Sequence, residues 1–385
     1  MKEFHFKRHL TKTNLDSLAD KYYVKNSTDV EKYIMDFEIL FHILKVLPDC
    51  VVKGGMAVTF HVDGNLKRLS EDIDIVTRCT KEEIENAIDD LKKDLEPLVD
   101  MRLHAPKKPT KRLPLMTYWC KYKSSTSPDS QIKLDIFYGD EEIVRPKITD
   151  GKTKFMEFTV DFPVSTYNHI SLIVDKMTTL AFQTIGLPES RRHDAPKQIY
   201  DIASLLKSFS GALPIGEIVD LLARISRRES GYCQVEYSFD EILTDLEEFS
   251  DSMVDDKLKL NPRDDGYLGT FKTHLLTTNY SRTEYVTDIL LIALFIKMIR
   301  NAANKTQDLG MVGIKASKIL ARLKDISNSS PDKSWRRAVV RKYAGQERER
   351  VAQLPSRQLY LYDCIRETDN RDGSSNNASE LQTDL

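Results

Sequence analysis

The chain has 385 residues, 41% of them hydrophobic, and 57 Lys and Arg against 59 Asp and Glu give a net charge of −2. That length supports a sizeable core and two or three domains, and the charge balance excludes a protein that binds polyanions through bulk basicity. Five scattered cysteines without CxxC spacing argue against a disulfide framework or a zinc site. The opening residues lack a signal-peptide core, no apolar run reaches membrane-spanning length, and a soluble cytoplasmic protein is expected.

In chain order, Val30, Ile34, Phe37, Phe41 and Leu44 recur at helical spacing, so an amphipathic helix is expected over 27–47, ended by Pro48 and Asp49. A short strand at 50–53 leads into Gly54 and Gly55, from which 56–62 can continue as helix to the DGN turn. In DIDIV the alternation sends Ile73 and Ile75 to one face and Asp72 and Asp74 to the other. A charged helix over 80–98 precedes a loop or edge at 104–114 crowded with Lys, Pro and Arg. Strands follow at 115–122, 132–139 and 155–160, and the pattern turns helical from about 171. Acidic residues dominate 240–265 and basic ones 315–366, which leaves room for a local basic face. The polar stretch 370–385 is expected to be disordered. The expected organisation is an α+β (α/β-mixed) chain: a catalytic domain with N-terminal helices at 1–170, a mainly helical part at 171–366 and a tail at 367–385.

The chemistry concentrates in KGGMAVTFHVDGNLKRLSEDID. Side chains two apart on a strand lie on one face, roughly 6–7 Å apart, so the carboxylates of Asp72 and Asp74 can converge on cations. Asp135, in IKLDIFYG, would join them from a neighbouring strand, roughly 5 Å away if directly paired. Three acids suit a pair of Mg2+ ions, or Mn2+. A glycine turn at a helix start lets backbone N–H groups approach phosphate oxygens, so the combination points to a nucleoside triphosphate (NTP) bound with its metal. A phosphatase DxD needs a hydrophobic strand running into its first Asp, whereas KRLSE precedes this one. A DxD glycosyltransferase would leave the glycines unexplained.

Later residues fit the same picture, each beside a plainer reading. Lys176 would begin a helix with Met177, Leu180, Ala181 and Ile185 on its apolar face, its ammonium either directed at the β/γ-phosphates or merely solvated. Asp201 lies on a further helix, where an ion pair with Lys197 at i,i+4 spacing is the alternative. Ser70 could simply brace the turn before the strand. His193 sits in a charged loop and is left outside the site. The segment SWRRAVVRKYAGQERER offers a phosphate-tracking face, or else a solvated helix with Trp335 and Tyr343 in the core.

KGGMAVTFH, RLSEDIDIV, KLDIFYG, DKMTTLAFQTIG and RRHDAPKQIYDIASLL, in this order, resemble the AbiEii/AbiGii-type nucleotidyltransferases of the DNA polymerase β-like superfamily, over about 37–206. These are toxins of bacterial abortive-infection and toxin–antitoxin systems. The resemblance implies a polymerase β-like domain in which Gly54 and Gly55 form the glycine motif and Ser70 is the small hydroxyl before the acids. It also makes Asp72 and Asp74 the metal pair, Lys176 the motif lysine and Asp201 the acid of the later motif, with Arg191 or Arg192 at the basic position. It further implies transfer of a nucleoside monophosphate from an NTP to an acceptor hydroxyl, the 3′ end of tRNA, and an antitoxin partner, often a winged-helix regulator, with no membrane involved. Two alternatives share the fold: a small-molecule nucleotidyltransferase of the antibiotic-modifying kind, and a catalytically silent binding module.

Overall fold

A computed structural model describes residues 6–95, 99–104, 113–128, 130–139, 146–149, 154–255, 258–276, 280–304, 309–326 and 333–372. The strands in chain order are β1 (Val51–Lys53), β2 (Asp72–Thr77), β3 (Val99–His104), β4 (Leu115–Tyr122), β5 (Gln131–Tyr138), β6 (Pro146–Thr149), β7 (Lys154–Phe155), β8 (Phe158–Thr159) and β9 (Val164–Tyr167). Seven of them form one mixed sheet in the order β3-β4-β5-β2-β1-β9-β6. The alternating acid and isoleucine run is its central strand. β2 pairs in parallel with β5 and antiparallel with β1, and β1 pairs in parallel with β9.

Alternation divides the sheet into two unlike faces. Ile73, Ile75, Cys120, Ile132, Leu134 and Ile136 are fully buried on one of them. Helices α2 (Ser27–Val46) and α4 (Lys81–Leu95), which follow α1 (Lys12–Lys21) and the short α3 (Gly54–Val58), pack there. Each such side chain contributes ~1.5–3 kcal/mol by leaving water, which fixes the register and so presents the acids on the opposite face.

The remainder is helical: α5 (His169–Thr178), α6 (Ala195–Ser208), α7 (Ile215–Cys233), α8 (Phe239–Met253), α9 (Pro262–Phe271), α10 (Arg282–Ala303), α11 (Leu309–Asp325), α12 (Lys333–Arg341), α13 (Gly345–Gln353) and α14 (Ser356–Asp372). α10 starts from a capping box between Ser281 and Glu284 and is the central helix, packed by α6, α7, α8, α11 and α14. Among the described residues no helix is long and apolar enough to cross a membrane. One hydrophobic core runs from Phe6 to Cys364, across the boundary expected at residue 170.

Several expectations change. The segment 155–160 is not one strand but the hairpin β7–β8, turned at Met156, whose φ of 50° no strand residue adopts. The helix after the glycines stops at Val58, short of the DGN turn. Lys176 does not begin a helix: α5 ends two residues after it. Leu180, Ala181 and Ile185 are buried from irregular turns instead. Those turns are held by Asp245, whose Oδ2 accepts from the backbone of Gln183 and Thr184 and from the Thr184 hydroxyl. α14 continues to Asp372, into the stretch assigned to the tail, while 373–385 and most of the basic loop at 104–114 lie outside the described residues.

Candidate active site

The parallel register of β2 and β5 sets Asp74 directly opposite Asp135 and Asp72 opposite Lys133, so three carboxylates and the Lys133 ammonium share a face. Asp135 is engaged on both oxygens: the Thr117 hydroxyl donates to Oδ1 at 2.6 Å and Lys133 Nζ to Oδ2 at 2.5 Å. Among the described residues, the Asp72 and Asp74 carboxylates accept no hydrogen bond. Burial, reinforced by Asp135, pushes Asp74 up to about 6, and burial also raises Asp72 although Lys133 opposes it. Across β1, Lys53 stands opposite Asp74. Asp175, 3.0 Å away, keeps the Lys53 ammonium charged against the desolvation that would lower its pKa.

Gly54 is where the turn needs glycine. Its φ is +67°, and a Cβ there would lie 2.1 Å from Asp74 Oδ2; one on Gly55 would lie 2.8 Å from Arg68 Nη2 and 2.9 Å from Ser70 Oγ. The turn and the acids therefore fit against each other without side chains between them. Gly54→Ala is expected to cost ~1–2 kcal/mol from the left-handed backbone alone, with further loss as Asp74 is pushed aside. Denaturant unfolding checks this, and wild-type stability would mean that the turn relaxes freely. Ser70 donates to the Asp72 carbonyl at 3.3 Å, the bracing contact foreseen as its plainer reading.

Behind this face lies a buried charge network that the sequence did not suggest. Arg68 donates through Nε and Nη2 to the two oxygens of Asp201 at 2.8 and 2.6 Å, and Lys176 Nζ reaches Asp201 at 2.7 Å and Gln198 at 3.3 Å. Burial alone would raise the Asp201 pKa; Arg68 and Lys176 outweigh it and hold the carboxyl below the ordinary range. The alternative Lys197–Asp201 pair does not form. Lys197 bonds Glu71 and approaches Asp194, and the Leu69 amide donates to the His274 carbonyl, which ties the loop before β2 to the helical half.

Other candidates lie elsewhere. Arg192 is buried, stacked over Phe182 and paired with Asp264 and Ser252, whereas Arg191 is exposed and paired with Asp194. His193 is exposed beside Asp194. Tyr343 is buried in a satellite core against which Trp335 packs, and the Trp335 ring also lies against Tyr360, so both serve packing. Lys333, Arg337 and Arg341 on α12 remain exposed.

Three carboxylates on one face are the hard oxygen donors that Mg2+ or Mn2+ takes, and the space beside Gly54 lets Asp74 sit among them. They fit in kind. As they stand, however, no three His, Cys, Asp or Glu among the described residues are arranged to hold an ion, and both oxygens of Asp135 are engaged by Thr117 and Lys133.

A family model described as the nucleotidyl transferase AbiEii toxin of a type IV toxin–antitoxin system matches residues 38–279. Among solved structures, the chain is similar to an H. pylori protein described as a "putative nucleotidyltransferase", at 14% identity over 72% of this chain and 99% of that one, with a TM-score of 0.37. Among curated proteins no match was found.

Proposed function

This chain belongs to the AbiEii family of nucleotidyl transferase toxins of type IV toxin–antitoxin systems, and on that premise we propose that it transfers a nucleoside monophosphate from an NTP to the 3′-hydroxyl of tRNA. The observation that carries the proposal is the pairing of Asp74 with Asp135, with Asp72 alongside and the Gly54 turn against Asp74. The acceptor oxygen bonds to the α-phosphorus as the bond from that phosphorus to the leaving pyrophosphate breaks, the pyrophosphate taking the electron pair. Asp135, or water beside it, receives the hydroxyl proton. Magnesium or manganese held by Asp72, Asp74 and Asp135 would supply charge neutralisation of the triphosphate and the leaving group.

The chain's own residues supply position. Gly54 and Gly55, at the N-terminus of α3, bring backbone N–H groups toward the phosphates, and Ser70 braces the strand that carries the acids. Lys176 is buried with Asp201 in the network that meets the glycine turn through Arg68, so its charge is assigned to the leaving phosphates through that network and not by direct contact. An RNA acceptor is supported by the exposed cations of α12, and an antitoxin partner by the family.

Purified protein incubated with Mg2+, each labelled NTP and total RNA tests this. Labelled tRNA that can no longer be aminoacylated is the expected result, and label only on small hydroxyl compounds would favour the antibiotic-type reading. In cells, expression of the wild-type chain should arrest growth and Asp72→Ala at equal protein levels should not. Arrest by that variant would place toxicity outside the chemistry.

A further inference from the structure

We infer that Lys133 is a built-in counter-cation of the acidic site, occupying the oxygen of Asp135 that Thr117 leaves open and yielding it when a divalent ion and triphosphate bind. The inference rests on the nucleotidyltransferase reading. Its observations are geometric. Lys133 precedes Asp135 by two residues on β5 and stands opposite Asp72, so its ammonium emerges within the acidic face. It bonds Asp135 Oδ2 while Thr117 holds Oδ1, and the neighbouring Asp72 and Asp74 accept no hydrogen bond among the described residues.

Only one of the two Asp135 partners is able to leave. The Thr117 hydroxyl comes from β4, paired directly to Asp135, and moves with the sheet. The Lys133 side chain is 32% exposed and ends a flexible four-carbon stem. A divalent ion held by Asp135 together with Asp74 would draw on the oxygen that Lys133 bonds and would repel its charge, so the two would compete for it. A displaced ammonium remains on the same face beside Asp72, where the oxygens of an arriving triphosphate give it new partners. Lys133 is thus a positioning residue with two alternative anions. It favours joint binding of ion and triphosphate over the ion alone.

The sign of the effect separates this role from a structural one, because damage to the site weakens ion binding, whereas loss of a competing cation strengthens it. Mn2+ is titrated into the full-length protein without nucleotide, followed by the free-ion electron paramagnetic resonance signal, for wild type, Lys133→Gln, Lys133→Arg and Asp72→Asn. Lys133→Gln is expected to bind Mn2+ on the order of tenfold more tightly, Lys133→Arg to resemble wild type, and Asp72→Asn to bind weakly. A non-hydrolysable NTP analogue with Mn2+ should bind Lys133→Gln on the order of tenfold more weakly. Unchanged or weaker Mn2+ affinity in Lys133→Gln, with wild-type binding that depends on Asp72, overturns the role of Lys133 and leaves the metal reading intact. Absence of Asp72-dependent binding in both wild type and Lys133→Gln overturns both.

Discussion

Asp74→Asn should melt several degrees above wild type at pH 7.5 in EDTA while losing nucleotidyl transfer by about a thousandfold or more. The two effects have one cause. Asp74 is a half-buried carboxylate beside Asp135, raised to about 6 and without a hydrogen bond among the described residues. An unfolded aspartate titrates near ~3.9, so between that value and 6 the folded chain carries the extra proton, and stability falls as pH rises through that window. Above it the full penalty applies, on the order of 2–3 kcal/mol. Asparagine removes the penalty at pH 7.5 and has little to remove near pH 4. Asp72→Asn should behave alike with a smaller gain, and Mg2+ should narrow the difference by giving the wild-type carboxylates a partner. Thermal melts at the two pH values, with and without Mg2+, together with transfer assays, check this. An Asp74 variant less stable than wild type at pH 7.5 would make the acid a structural partner rather than one held for a cation.

The constellation of acids was legible because it depends on short-range rules. Period-two alternation sends Asp72, Asp74 and Asp135 outward from strands whose isoleucines and leucine are buried, and the strand at 115–122 and the helix beginning at Ser27 follow from hydrophobic spacing alone. What the sequence hid depends on partners far away in the chain. Arg68 stood within the motif without a role, since its carboxylate is Asp201, 133 residues later. Lys133 carried a detectable signal: two positions before Asp135, it had to share that face, yet its bond to Asp135 only matters once β5 lies against β2. The segment 155–160 is rich enough in β-formers to read as one strand, and the left-handed backbone at Met156 turns it into a hairpin. The turns after Lys176 were apolar at helical spacing, and Asp245 on α8 capped them in another conformation.

Asp201→Asn should fail differently from the Asp74 variant, losing about 10 °C of melting temperature along with activity. Asp201 is the anion of a buried network with Arg68 and Lys176, whose side chains are 8% and 4% exposed. Removing its charge leaves two cations without their counter-ion in a dry interface, a defect that typically costs about 3–5 kcal/mol. The pH dependence follows the opposite sign to that of Asp74. Its folded pKa is depressed, so its stabilisation is present in full above the unfolded value near ~3.9 and is lost as pH falls through the lower folded value. The variant should therefore be penalised most at neutral pH, the condition under which Asp74→Asn gains. Replacing the whole network, with Arg68→Met, Lys176→Met and Asp201→Leu together, should recover much of the stability because no buried charge is then stranded, yet should not restore transfer. Recovered transfer in that triple variant would make the network scaffolding alone. An Asp201→Asn protein that melts like wild type but transfers nothing would instead place the carboxylate among the groups that meet the substrate.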